Sequence, residues 1–330
     1  MPLAVLALAL IVLTTSGPSA QPSLPEAAAA AAELPRLHSL LISHRGAVVF
    51  ERYYNKRRVT DLANVKSVSK SIISALVGIA IHQRLIGSVH DPIGPYFSEV
   101  LGAKADTAKR EITIEDLLTM RSGLESTSSE NYGKWVRSSN WVRYTLTRRL
   151  EEPPGTSMEY STGNSHLLSA ILTRATKRST WHYAQEVLAK PLGFTLARWM
   201  QDPQGIYFGG NEMRLTPRQM LGFGELYLNL GHSGGRQVVP SQWVKDSFVP
   251  RGKSDYSDQL YGYGWWMRDL AGEQVYYAWG FGGQYIFVVP RLQLVVVTTS
   301  STEIAEERRS HRRSVLGLVE TLIIAPLAAS

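Results

Sequence analysis

Ser67-Val68-Ser69-Lys70-Ser71-Ile72-Ile73-Ser74-Ala75-Leu76-Val77-Gly78-Ile79-Ala80-Ile81 is the stretch that decides the fold. Val68, Ile72, Leu76 and Ile79 recur at helical spacing, and Ile73, Ala75, Val77 and Ala80 fill much of the other side. A helix that is apolar nearly all round is buried in the middle of a domain. The pattern predicts a helix from Val68 to about Ile81, with Lys70 entering it among apolar residues. A buried lysine without a partner is costly, so this one needs a reason to be there.

Ser67 supplies a candidate reason. Residues three apart share a helix face, with Cβ atoms roughly 5–6 Å apart. No other lysine in the chain has Ser or Thr three residues before it. A serine hydroxyl is a poor nucleophile until a base takes its proton. A lysine in apolar surroundings has its pKa lowered by desolvation, which makes it a possible base. The helix N-terminus adds a field that favours negative charge on the serine oxygen. The same four residues also fit a plain polar helix start, so spacing alone leaves both readings open.

Working outward, Leu40-Leu41-Ile42 and Ala47-Val48-Val49-Phe50 read as two strands around a Gly-containing turn. Residues 85 to 234 read as helical segments joined by loops: 114–118, 164–176, 181–188, and one opened by Thr216 as N-cap and Pro217 at the first helical position. Gly264 to Met267, Val275 to Trp279, Tyr285 to Val289 and Leu294 to Thr298 are β-branched or aromatic runs separated by turns. Residues 303 to about 322 then form a helix able to cover the sheet. The expected organisation is an α/β subdomain from 37–84 and 235–330, with a mostly helical subdomain, 85–234, inserted between.

The first residues read as an export signal. Leu3 to Leu13 is unbroken apolar sequence, shorter than the roughly 20 residues of a membrane span, and it leads into Thr14–Ala20. Residues 1–20 are thus expected to be a signal peptide, with no stable membrane span after processing and a periplasmic or secreted product. Residues 21–36, rich in Ala and Pro, are expected to be a leader linker rather than core.

Composition narrows the chemistry. The 44% hydrophobic and 19% charged residues are a globular mixture, which excludes a disordered chain. Cysteine is absent, which excludes disulfides, thiolate metal sites and cysteine catalysis. No His-Glu-x-x-His pattern occurs among the eight histidines, so no metal is expected. The net charge of +7 comes from scattered residues. The one compact run, Arg308-Arg309-Ser310-His311-Arg312-Arg313, reads as a solvated helix face, not a nucleic-acid surface.

Ser67-Val68-Ser69-Lys70-Ser71 followed by Ala75-Leu76-Val77-Gly78 resembles the active-site helix of the serine β-lactamase and penicillin-binding protein superfamily. Leu117–Leu124, Tyr160-Ser161-Thr162-Gly163-Asn164, Gly224–Asn229 and Ala278-Trp279-Gly280-Phe281-Gly282-Gly283-Gln284 follow in the family's order. The resemblance is nearer to the class C-related hydrolases, which include esterases and 6-aminohexanoate-dimer hydrolases. It implies an antiparallel sheet flanked by helices, an inserted helical subdomain, and hydrolysis of an ester or amide through an acyl-enzyme without a cofactor. It implies Ser67 as nucleophile, Lys70 in the proton relay and Tyr160 as general base or acid, its pKa depressed between two cations. The backbone N–H groups of Ser67 and Phe281 would form the oxyanion hole. Trp279, Gly280, Gly283, Gln284 and Asn164 would contact a small-molecule or short peptide-like substrate, the glycines letting the backbone approach it.

Three departures matter. The tyrosine motif of the family usually ends in asparagine, and here Thr162 stands there, with Asn164 as a possible substitute. Ser-Asp-Asn and Lys-Thr-Gly are both absent. The lysine that would meet a substrate carboxylate is missing and Trp279 occupies its neighbourhood, which favours neutral or aromatic substrates unless an arginine arrives from elsewhere. These departures keep a non-catalytic sensor on the same fold as an alternative. Ser233, in Gly231-His232-Ser233-Gly234-Gly235, fits a nucleophile elbow by pattern alone. It follows a helix and precedes non-helical sequence, so it reads as a turn. Tyr53-Tyr54-Asn55 and Tyr227-Leu228-Asn229 likewise read as structural.

Overall fold

Alternation along the strands sets the layers, because successive side chains of a strand point to opposite faces. The computed structural model describes residues 24–102, 107–255 and 257–329. Leu41, Ile286, Val288, Val295 and Val297 face one core, and Leu40, Ile42, Phe287, Val289, Leu294 and Val296 face another. Both faces are covered, which is why Leu294–Val297 is apolar at consecutive positions and the whole strand Leu294–Ser300 is buried.

Among the described residues the main sheet has eight strands, antiparallel at every junction. Their spatial order is Ala47–Tyr53, Leu37–His44, Leu294–Ser300, Gln284–Val289, Glu273–Gly280, Trp266–Leu270, Leu260–Tyr261 and Gly252–Lys253. The first hairpin turns at Arg45 and Gly46, with φ of 52° and 79°. Two successive positive φ angles match the strand twist, and glycine takes the second at no steric cost.

The expected central helix runs Ser69–His82, preceded by a 3₁₀ turn over Lys66–Val68. It is buried from Ser69 to Ala80, between the sheet and the helical layer. A Cβ on Gly78 would stand 2.2 Å from the Trp243 ring, so a large residue fills the gap left by a small one.

Two expectations about organisation change. Helix Pro217–Leu228, placed by sequence in the inserted helical subdomain, lies on the sheet. Gly224 packs against the Val295 and Ile286 side chains, and Thr216 with Gln219 closes the helix start as a capping box. The expected linker is not free of the core either. Leu24–Ala32 is a helix whose Ala27 and Ala31 are fully buried beside Val315, Val319 and Ile323. Small alanines on one face let it dock closely, and composition alone reads such a run as linker. The expected signal segment lies outside the described residues.

The C-terminal segment covers the sheet as expected, as helix Arg308–Leu318, a wider π-helical turn over Val319–Ile324, and Ala325–Ala328. Among the described residues no helix is long and apolar enough to cross a membrane.

Candidate active site

Ser67 sits in the 3₁₀ turn that opens the buried helix, and Lys70 one turn later is 3% exposed. Lys70 Nζ lies 3.0 Å from Ser67 Oγ, 2.8 Å from the Gly210 carbonyl oxygen and 3.4 Å from Thr162 Oγ1. Burial pulls the Lys70 pKa down to about 7, and among the described residues no carboxylate forms an ion pair with it. A neutral amine has two N–H bonds and one lone pair. With a carbonyl and a threonine oxygen taking the N–H groups, the lone pair is left for the Ser67 hydroxyl.

Tyr160 closes the other side. Lys70 Nζ stands 4.9 Å from the centre of its ring, and the ring stacks on Trp266 at 5.7 Å. Burial holds the Tyr160 phenol well above its usual range, and a hydrogen bond to Ser67 only partly offsets this. The expectation of a depressed tyrosine pKa is therefore reversed. The one amine beside the ring is itself pushed toward neutrality, so it cannot hold a phenolate.

Thr162 itself meets Lys70, where Asn164 stood as a possible substitute. It begins helix Thr162–Thr176, and its backbone N–H and Oγ1 both meet Ser128 Oγ at 2.9 Å. Asn164 is fully buried one step further along, where its Oδ1 accepts from Ser122 Oγ at 3.0 Å. Gly210 is the other residue that sequence reading missed. A Cβ there would stand 2.8 Å from Thr162 Cγ2 and 3.1 Å from Lys70 Nζ, and one on Gly209 would strike the Ser165 carbonyl at 2.0 Å. The adjacent glycines Gly209-Gly210 were the available signal.

The third motif is arranged differently from expectation. Gly280 approaches protein closely: a Cβ would meet the Val65 carbonyl oxygen at 2.2 Å, directly behind the Ser67 turn. Gly283, with φ of 108°, packs against Ser300 and His311, and the Gln284 amide bonds the Ser300 backbone through both its nitrogen and its oxygen. Gly283 and Gln284 are hairpin supports. Strand alternation turns the Trp279 ring to the face opposite Gly280, stacked on Tyr285 at 6.4 Å and 5.9 Å from Trp266. Pairing with Trp266–Leu270 stops at Tyr277↔Trp266, so Ala278, Trp279 and Gly280 are paired on one side only. The Gly280 carbonyl accepts from Gly283 N–H on the hairpin side. Neighbours alternate in an antiparallel ladder, which leaves the Trp279 backbone on the open edge, with Phe281 at the corner beyond.

The basic run is more than a solvated face. Arg308 and Arg312, one turn apart, lie 4.3 Å over Phe281 and 4.8 Å over Trp279. Cations do reach the third motif, so the preference for neutral substrates loses its premise. Ser233 lies in the two-residue hairpin His232–Ser233/Arg236–Gln237 with no helix after it, as expected of a turn. Tyr227 is buried against Trp265, and Asn55 Nδ2 bonds the Pro35 and Leu37 carbonyls, both structural roles. Among the described residues no three His, Asp or Glu converge as a metal site.

A Ser-Lys pair at a buried helix start, faced by a tyrosine and bordered by a half-open strand edge, defines a hydrolase of the β-lactamase fold. The beta-lactamase family model matches residues 35–320, and the chain belongs to that family, within the serine β-lactamase and penicillin-binding protein superfamily. It is 24% identical over 304 residues to the 6-aminohexanoate-dimer hydrolase of Paenarthrobacter ureafaciens, covering 81% of this chain and 73% of that protein. Among solved structures it is similar to the class C beta lactamase from Rhodobacter sphaeroides, with a TM-score of 0.67 at 17% identity over 88% of this chain and 97% of that one. It is also similar to the penicillin binding protein from Bacillus halodurans, with a TM-score of 0.71 at 13% identity over 90% and 100%. At these identities the structural likeness is one of fold.

Proposed function

We propose that the protein is an exported serine hydrolase that cleaves a small ester or amide through a Ser67 acyl-enzyme. The observation that carries this reading is the 3.0 Å contact between Ser67 Oγ and a buried lysine whose pKa is about 7. Near neutral pH much of Lys70 is free amine and can act as base. Ser67 Oγ attacks the substrate carbonyl carbon while its proton passes to Lys70. The oxyanion forms against the N–H groups of Ser67 and Phe281. The leaving group departs with a proton relayed from Lys70 through the Tyr160 phenol, which its raised pKa keeps protonated. Water then repeats the sequence on the acyl-enzyme and restores Ser67. Tyr160, Trp266 and Trp279 form an aromatic row beside the open strand edge, with Arg312 over Trp279 and Arg308 over Phe281.

Labelling with a fluorophosphonate probe and turnover of p-nitrophenyl esters, nitrocefin and a D-amino-acid amide test the reading. Ser67→Ala is expected to abolish labelling and turnover, and Ser233→Ala to leave both intact. Unchanged labelling of Ser67→Ala would sink it. Stoichiometric labelling without turnover of any substrate would favour a sensor. Export predicts an intact mass lacking about the first 20 residues.

A further inference from the structure

Two residues flanking the centre have left-handed backbones without being glycine: Lys66, at φ 51°, directly before Ser67, and Glu212, at φ 65°, two residues after Gly210. One carboxylate joins them. Glu212 Oε1 takes Lys66 Nζ at 2.8 Å, and Oε2 takes Asn64 Nδ2 at 2.6 Å. Asn64 Oδ1 in turn accepts the Lys66 backbone N–H at 3.1 Å. The ring of contacts therefore leaves Lys66 by its side chain and returns to it by its backbone. Each lysine and glutamate side chain keeps about a fifth of its surface exposed, so the ring is not a core requirement. Asn64 also pairs with Arg214, which ties the nucleophile's turn to the segment that delivers the Gly210 carbonyl to Lys70.

We propose that Glu212 is a positioning residue: it holds Lys66 in the left-handed conformation that aims Ser67 at Lys70. A left-handed backbone disfavours every residue with a Cβ except when its surroundings enforce it. Glycine takes that conformation freely. This rests on Ser67 being the nucleophile.

Rates of fluorophosphonate labelling test it, counted per folded molecule by circular dichroism. Glu212→Ala is expected to label about tenfold or more slowly than wild type. Adding Lys66→Gly in that background is expected to restore most of the rate, because glycine needs no clamp. Asn64→Ala, which opens the same ring elsewhere, is expected to behave alike and to be rescued alike. Slowing without rescue in both pairs would overturn the proposal, since the lost groups would then matter for more than backbone conformation. Wild-type rates in both single variants would overturn it too. Failure of wild type itself to label would instead sink the hydrolase reading.

Discussion

Thr162 Oγ1 lies 3.4 Å from Lys70 Nζ, on a helix that begins two residues after Tyr160. With the Gly210 carbonyl it fixes which way the amine points. Removing that oxygen at constant shape should misdirect the lone pair. Thr162→Val is expected to lower kcat/KM by about tenfold, the scale of one lost hydrogen bond in a buried site, while Thr162→Ser stays within a few fold. Steady-state kinetics on a p-nitrophenyl ester decides it; equal activity of the two would mean that Thr162 only packs.

The Lys70 pKa of about 7 sets a pH limb. In the proposed mechanism the free amine is the active form, so kcat/KM is expected to rise through about pH 7 and level above it. Lys70→Arg cannot lose its proton at any working pH, and is expected to lose roughly a hundredfold or more in rate along with that limb. A rate that is flat from pH 5 to 9 would remove Lys70 from the role of base.

The same burial has a stability sign. Unfolded Lys70 has its ordinary pKa near 10.5 and the folded one about 7, so between these values the unfolded chain binds more protons and stability rises with pH. Below pH 7 both forms are charged, and the folded protein carries the full penalty, up to ~5 kcal/mol. Leaving the Gly210 carbonyl unpaired would return ~1–3 kcal/mol of that. Lys70→Met is therefore expected to be inactive yet more stable at pH 7, with the gain shrinking toward pH 10. Urea unfolding at both pH values measures it.

Gly280 presses on the Val65 carbonyl, so Gly280→Ala has no room for its Cβ. Backbone must yield at the Ser67 turn. The expected result is a loss of at least tenfold in labelling rate with the fold retained, read by labelling and circular dichroism together. Wild-type labelling would show that the turn tolerates displacement.

His166 and Asp202 meet at 3.0 Å, both side chains fully buried inside a cage that includes Trp135, Trp141 and Phe208. Asp202 also accepts the backbone N–H groups of Gln204 and Ile206. Asp202→Ala strands the buried His166 imidazole and two part-buried backbone N–H groups, and is expected to cost about 1–3 kcal/mol in urea unfolding.

Ser67 and Lys70 were legible because their partnership is local, fixed by helix geometry within four residues. The strands were legible because hydrophobic runs and turns are local too. Thr162, Gly210 and the reversed Tyr160 shift were not, since each depends on segments that meet only in the folded chain. The docking of Leu24–Ala32 was hidden for another reason: an alanine-rich run looks the same whether it faces water or a sheet. Trp279 shows how one residue of offset misleads, because a strand sends neighbours to opposite faces.

The sheet has its own consequence for timing. Ser39 and Thr299 share a 2.6 Å hydrogen bond across 260 residues of chain, at the junction between the first strand and the last. Loop-closure entropy for such a contact is lost before its reward arrives, and topologies of this kind fold slowly. During synthesis Leu37–His44 has no Leu294–Ser300 to pair with until the 260 residues separating Ser39 from Thr299 have been made. The helix behind Ser67, built early in the sequence, thus acquires its finished surroundings last.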